Sequence, residues 1–287
     1  MIKILQSGFY TSVQDLGRFG FGNVGVPTSG AMDQFSSKLA NQLLGNDINN
    51  AVLEITQGNC SFLFLTKSVI CITGADCTPK LNTTRIALNT TIQVVENDIL
   101  TFKTPVYGIR SYLAVFRGIQ TASILKSRSY FNGITSTIRI NKGDLIPISE
   151  TNSKNTTTFS SVKINSTHFQ VKKIQVFKGP EYELLNDIQK ELLLKQKFTI
   201  SNDNNRMGYR LKEIIPNRLE SILTSAVLPG TVQLTPFGKL IVLMRDCQVT
   251  GGYPRVLQLT ETAINQLAQK TTGAIFEFQL VDLDVNF

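Results

Sequence analysis

Residues Ser61–Cys77 read SFLFLTKSVICITGADC, and the fold class turns on them. Two apolar runs, Ser61–Leu65 and Ser68–Thr73, are rich in Phe, Val, Ile and Thr and stand on either side of Thr66-Lys67. Each is too short for a helix and has the composition of a strand buried on at least one face. Outward from this stretch the pattern repeats. Ile2–Leu5, Thr91–Val95, Asp98–Lys103 and Ile109–Phe116 are runs of the same kind, separated by Gly, Asn and Asp turn signals. Many short strands imply a mainly β chain built as a barrel or sandwich, with few helices.

One segment of the first half departs from that pattern. Ala31–Leu44 spaces Met32, Phe35, Leu39 and Leu43 by threes and fours, with Gly45 available at the C-terminus, so a helix is expected there. Ser29 stands at the N-cap position and Asp33 brings a carboxylate into the first turn. In the second half a strand is expected at Lys173–Phe177, followed by an amphipathic stretch, Glu181–Lys195, with Leu184, Leu185, Ile188 and Leu192 on one core-facing side. Thr231–Thr235 and Leu240–Met244 flank Pro236-Phe237-Gly238-Lys239 as a hairpin. A helix near Thr262–Lys270 and a closing strand, Ala274–Leu280, follow.

A chain of 287 residues is long enough for two cores. The Ser-, Thr- and Asn-rich stretch Ser149–Thr167 reads as the linker, giving domains at residues 1–155 and 165–287. With 42% hydrophobic and 17% charged residues the chain is globular rather than disordered. Its start lacks a signal-peptide pattern, and no apolar run approaches the roughly 20 residues that cross a bilayer, so a cytoplasmic location away from membranes is expected. The four cysteines form no CxxC pair and read as reduced thiols. His168, in NSTHFQ, is the one histidine and reads as a solvated linker residue; a multi-histidine zinc site is excluded and no metal is expected. The net charge of +8 is spread along the chain without a basic helix, which argues against nucleic acid.

Four segments concentrate groups that can carry chemistry. Gln14–Asp33 is dense in glycine (Gly17, Gly20, Gly22, Gly25, Gly30) and ends on the expected helix start, a geometry suited to phosphate or carboxylate, with Asp15 and Arg18 at its mouth. The alternative is a long connection whose glycines only meet turn demands. In Ile72–Cys77 the apolar strand is expected to end at Gly74 and deliver Asp76, as a base, an amide-binding group or a plain turn carboxylate; Cys77 has no histidine near it in sequence. Ser201–Leu211 sets Arg206 and Arg210 four apart around Gly208, either as a clamp for an anion or as solvated arginines. Met244–Arg255 places Asp246, Gln248, Gly251, Gly252 and Tyr253 directly after an apolar strand, where a donor-rich turn can stabilise an oxyanion.

In this order the segments resemble the PxpC/KipA family, which holds the C-type component of bacterial 5-oxoprolinase and is also called allophanate hydrolase subunit 2. Its members carry QDxGRxG, VPxSGAMD, TGAD, RMGYRL and DxQxTGGYP stretches, which here are Gln14–Gly20, Val26–Asp33, Thr73–Asp76, Arg206–Leu211 and Asp246–Pro254. Each is weak alone; together and in register they are specific and cover nearly the whole chain. The sequence departs from the family at Thr28, Cys247 and Glu181, and Cys247 removes any contribution from an arginine at that place. The resemblance implies two cyclophilin-like β-barrel domains. It also implies two protein partners, one PxpB/KipI-like and one PxpA/LamB-YcsF-like, in the ATP-dependent opening of 5-oxo-L-proline to L-glutamate, with ATP bound by this chain or by a partner. On that reading Asp15, Asp76, Asp246 and Gln248 are the catalytic candidates. Arg18, Ser29, Gly30, Asp33, Arg206, Tyr209, Arg210, Gly251, Gly252 and Tyr253 are the candidates for binding a small amide substrate or phosphate, in glycine-lined loops expected to share one cleft. Two alternatives belong to the same resemblance. One is the carboxyltransferase component of a biotin-dependent urea carboxylase, with biotin carried by another chain because no MKM-type attachment sequence occurs here. The other is a KipA-type regulator that binds a KipI-like kinase inhibitor.

Overall fold

The computed structural model describes residues 1–151, 162 and 167–282. The chain is mainly β and divides into two compact units: Met1–Phe19 with Ser29–Phe169, and Gly20–Thr28 with Gln170–Phe287. The expected linker falls mostly on residues 152–161 and 163–166, outside the described residues. Among the described residues no helix is long and apolar enough to cross a membrane.

In the first unit the strands pair antiparallel into two sheets. One runs in the order Leu145–Ile146, Ile2–Ser7, Cys60–Phe64, Ile99–Phe102, Lys80–Leu81, Thr84–Arg85; the other in the order Tyr10–Gln14, Val52–Thr56, Tyr107–Val115, Ser68–Asp76, Thr91–Val94. Their inner faces share one core. Ile2, Ile4, Phe62 and Phe64 from the first sheet pack with Leu53, Ile55, Ile70, Ile72 and Leu113 from the second, as the period-two alternation of strands requires. Ser68–Asp76 is buried along its whole length because helix α1 (Gln34–Leu43) lies on the opposite face of its sheet. There Ala31, Ala40, Val52, Tyr112 and Ala114 form a second cluster, and the Thr73 hydroxyl donates to Ser36 O at 2.7 Å.

Two expectations for this unit are corrected. The helix begins at Gln34 rather than Ala31, and its cap is Asp33, whose carboxylate accepts from Ser36 N at 3.1 Å. Ser29 cannot cap it because Ser29 and Gly30 adopt left-handed backbone angles (φ 57° and 100°) on the way to the Ala31 N–H···O=C Asp15 bond of 2.8 Å. Nor does the strand end at Gly74. It continues to Asp76 through Gly74 at φ 84°, where the pairing with Tyr107–Val115 shifts register.

The second unit is a closed seven-stranded barrel in the order Lys173–Lys178, Arg255–Leu259, Thr231–Leu234, Lys239–Leu243, Gly208–Ile214, Phe198–Asn204, Ile275–Leu280. The last strand returns parallel to the first, with Ile174 opposite Phe278. Val232, Leu234, Leu240, Val242, Tyr209 and Leu211 are buried in it. The hairpin forms as expected around Gly238, with Val232 opposite Val242. The short helix α2 (Thr167–Gln170) contains the last residues of the first unit, which ends at Phe169; α3 (Asp187–Lys195) and α4 (Glu261–Ala268) belong to the second. The expected leucine stripe is corrected. A 3-10 turn at Tyr182–Leu184 and a capping box at Asn186/Gln189 interrupt Glu181–Lys195, so Leu184 and Ile188 face outward while Leu185 and Leu193 are buried.

Candidate functional site

In the first unit Asp15 follows strand Tyr10–Gln14, and its carboxylate is surrounded by donors. Oδ1 accepts from the Ser127 hydroxyl (2.7 Å), the Ser129 hydroxyl (2.6 Å) and Gly17 N (2.8 Å), and Oδ2 accepts from Arg128 N (2.6 Å). With both oxygens bonded, this carboxylate is tied to the backbone and side chains of the loops around it. Arg18 is buried and donates to Ser129 O. Gly30 is required for close approach as well as for φ, since a Cβ there would lie 2.8 Å from the Leu16 carbonyl carbon. Asp33 is fully buried; besides capping α1 it accepts the Ser36 hydroxyl on Oδ2 at 2.7 Å.

His168 corrects another expectation. Instead of lying solvated in a linker, its Nε2 is 3.1 Å from Asp33 Oδ2, and its ring sits 5.1 Å from those of Phe35 and Phe169. A carboxylate already fixed by the helix cap, with two aromatic rings beside it, gives the imidazole both a polar partner and apolar cover.

Asp76 accepts from Thr78 N at 2.8 Å and pairs with Arg85 Nη2 at 2.9 Å. Burial raises the neighbouring Cys77 thiol above its ordinary range, which keeps it protonated and removes it as a nucleophile. Sequence reasoning missed a first-unit cavity of about 320 Å³ whose lining includes Arg117, Lys126 and Arg128 beside Asp15 and Asp47. These cations come from segments that carry no motif, and only tertiary folding gathers them.

In the second unit the DxQxTGGYP and RMGYRL segments meet. Arg206 and Asp246 are both buried and form a bidentate pair, Nε to Oδ2 at 2.7 Å and Nη2 to Oδ1 at 2.9 Å. The backbone joins the same two turns, with Asp246 N donating to Arg206 O and Met244 N to Met207 O, both at 2.9 Å. Beside this clasp lies a cavity of about 290 Å³. Its floor is the outer face of the barrel: Gly208 and Arg210 stand opposite Leu243 and Ile241 across one strand pair. Gln248, Gly251, Gly252 and Tyr253 form the wall, carried by a turn whose Thr250–Gly251 strand pairs with Ser225–Ala226. Arg210, half exposed, also pairs with Asp203 at 2.5 Å. Thus five of the expected binding or catalytic residues border one hollow. Asp246 and Arg206 brace it, and Tyr209, on the strand's opposite side, is buried in the barrel. The lining combines a guanidinium, a primary amide, an apolar floor and a glycine turn, which suits a small carboxylate-bearing molecule with a carbonyl group.

A family model described as the carboxyltransferase domain, subdomain A and B, matches residues 24–280. The 5-oxoprolinase C-type component of Escherichia coli (strain K12) is 34% identical over 291 residues, covering 99% of this chain and 92% of the relative. Its counterpart in Haemophilus influenzae is 28% identical with the same coverages of 99% and 92%. The crystal structure of the K. lactis urea amidolyase superimposes with a TM-score of 0.84 at 25% identity, over 98% of this chain but only 19% of that one.

Proposed function

This chain belongs to the carboxyltransferase-domain family, subdomains A and B, and from that membership we propose that it is the C-type (PxpC-like) component of a 5-oxoprolinase. It would act with PxpA-like and PxpB-like partner proteins to hydrolyse 5-oxo-L-proline to L-glutamate. The observation that carries the reading is the barrel cavity, where Arg210, Gln248 and the Gly251-Gly252-Tyr253 turn border one hollow over an apolar floor. Arg210 is suited to the substrate carboxylate, the Gln248 amide to an oxygen acceptor, and Ile241 and Leu243 to the ring methylenes.

A lactam carbonyl is a poor electrophile because its nitrogen shares electron density with it. ATP supplies the free energy that makes this carbonyl open to attack by water. The first-unit cavity fits a phosphate group, with three cations against two carboxylates. Among the described residues its apolar lining is Ala51 and Ile119, too little to flank an adenine ring, and on this reading the nucleotide is shared with or held by a partner protein. Asp15, Asp76 and Asp246 are each engaged by donors or an arginine. On this reading their role is to fix the loops, and the group that activates water comes from elsewhere in the assembly.

The test is reconstitution: this chain mixed with purified PxpA-like and PxpB-like proteins, ATP and 5-oxo-L-proline. Glutamate and ADP are expected to form together, and to need all three proteins. Absence of glutamate from the complete mixture would sink the reading. The likeness to urea amidolyase favours a second one, carboxyl transfer to a urea-like amide from biotin carried on another chain. Carboxylation of urea that depends on a carboxybiotinyl carrier, with no lactam hydrolysis, would decide for it.

A further inference from the structure

We infer that Gln233 is a substrate-binding residue of the barrel cavity, and that its side-chain amide donates to the lactam carbonyl oxygen of 5-oxo-L-proline. This rests on the 5-oxoprolinase reading above. Gln233 lies in strand Thr231–Leu234, directly opposite Ile241, which in turn stands opposite Arg210. Successive strand residues point to opposite faces. Gln233 therefore shares the outer face with Ile241 and Arg210, and all three line the cavity. The residue is 2% exposed, and its Nε2 is buried with no hydrogen-bond partner. A buried amide donor without an acceptor is costly, and native proteins keep such groups chiefly where something else supplies the acceptor.

Gly251 packs directly against this donor without offering it an acceptor. It lines the same cavity, and a Cβ on it would lie 2.5 Å from Gln233 Nε2. Its backbone angles are not of the left-handed kind, so this glycine is demanded by space rather than by conformation. On this inference the Thr250–Tyr253 turn gives way when a ligand oxygen takes its place at the amide. Arg210 is then the partner of the ligand's carboxylate, and Ile241 and Leu243 of its ring.

The experiment compares the reconstituted complex carrying wild-type chain, Gln233→Leu or Gln233→Glu, with cyclopentanecarboxylate as an inhibitor that keeps ring and carboxylate but lacks the lactam. Gln233→Leu is expected to raise KM for 5-oxo-L-proline about tenfold, as loss of one hydrogen bond allows, while the inhibition constant of cyclopentanecarboxylate stays within twofold. Gln233→Glu, with no donor, is expected to raise KM at least as much. An unchanged KM in Gln233→Leu, or a KM and inhibition constant that rise together, overturns the inference by making the residue structural. If neither variant assembles, Gly251→Ala carries the test, because its methyl group displaces the amide: KM is expected to rise, and an unchanged KM overturns the inference. A wild-type complex that makes no glutamate removes the 5-oxoprolinase reading and this inference with it, an outcome distinct from an active wild type with an insensitive Gln233→Leu.

Discussion

Asp246 and Arg206 meet through two parallel hydrogen bonds of 2.7 and 2.9 Å, with both side chains about nine-tenths buried. A guanidinium and a carboxylate taken out of water together are tolerable; either one alone is not. Arg206→Met and Asp246→Asn are each expected to lower unfolding free energy by about 3 kcal/mol, while the double variant loses much less than the sum of the two. Urea denaturation of the four proteins measures this. Strict additivity would mean that the pair contributes nothing beyond its separate parts. The same pair and the backbone bonds beside it tie together the two turns next to the barrel cavity. Asp15, with donors on both oxygens, stands in the same relation to the first-unit loops.

At the level of the element, strand Ser68–Asp76 passes through Gly74 with φ at 84°, and a Cβ there would fall 2.4 Å from Arg110 O. Gly74→Ala therefore meets both a left-handed backbone and a hard backbone contact, and is expected to cost about 3 kcal/mol. Gly133→Ala, at φ 80° with nothing within 4 Å, is expected to cost roughly 1 kcal/mol. Equal midpoints in urea would show that the close approach does not hold the strand. The run of Val69, Ile70 and Ile72 announces this strand in the sequence, because burial on one or both faces leaves a local trace. Gly74 reads there as its end because a glycine at a register shift looks like a glycine at a turn. The glycine and polar residues after Leu240–Met244 likewise mark the cavity wall, since such groups rarely follow an apolar strand without cause. Gln233 leaves no mark: TVQL is an ordinary strand, and the residue matters only because Ile241 stands opposite it and Gly251 lies against its amide. Arg117, Lys126 and Arg128 are equally silent, as they reach Asp15 only through folding. His168 looks solvated in the sequence because its partner Asp33 is 135 residues away.

The molecule as a whole holds its four cysteines buried and unpaired, and this couples stability to alkaline pH. Burial pushes the Cys71 and Cys247 thiols up to about 12 and raises Cys60 and Cys77 as well. In the unfolded chain the same groups titrate near ~8.5. Between about pH 9 and 12 the unfolded state thus binds fewer protons than the folded one, so the stability present below pH 8 is progressively lost as pH rises. Each thiol contributes up to about 1.4 kcal/mol per pH unit in that window. Tyr112, fully buried and raised well above its ordinary value, acts in the same direction at higher pH. Lys270 acts in the opposite one. Burial lowers its pKa, so the unfolded chain holds that proton longer and stability rises with pH until the unfolded lysine also titrates. One lysine does not offset four thiols, so the urea midpoint under reducing conditions is expected to fall between pH 8 and pH 10. A Cys71→Ala, Cys247→Ala variant, stripped of two of the groups, is expected to show a shallower decline. Should the wild-type midpoint stay level over that range, or the two proteins decline in parallel, the thiols cannot be the protons that link folding to pH.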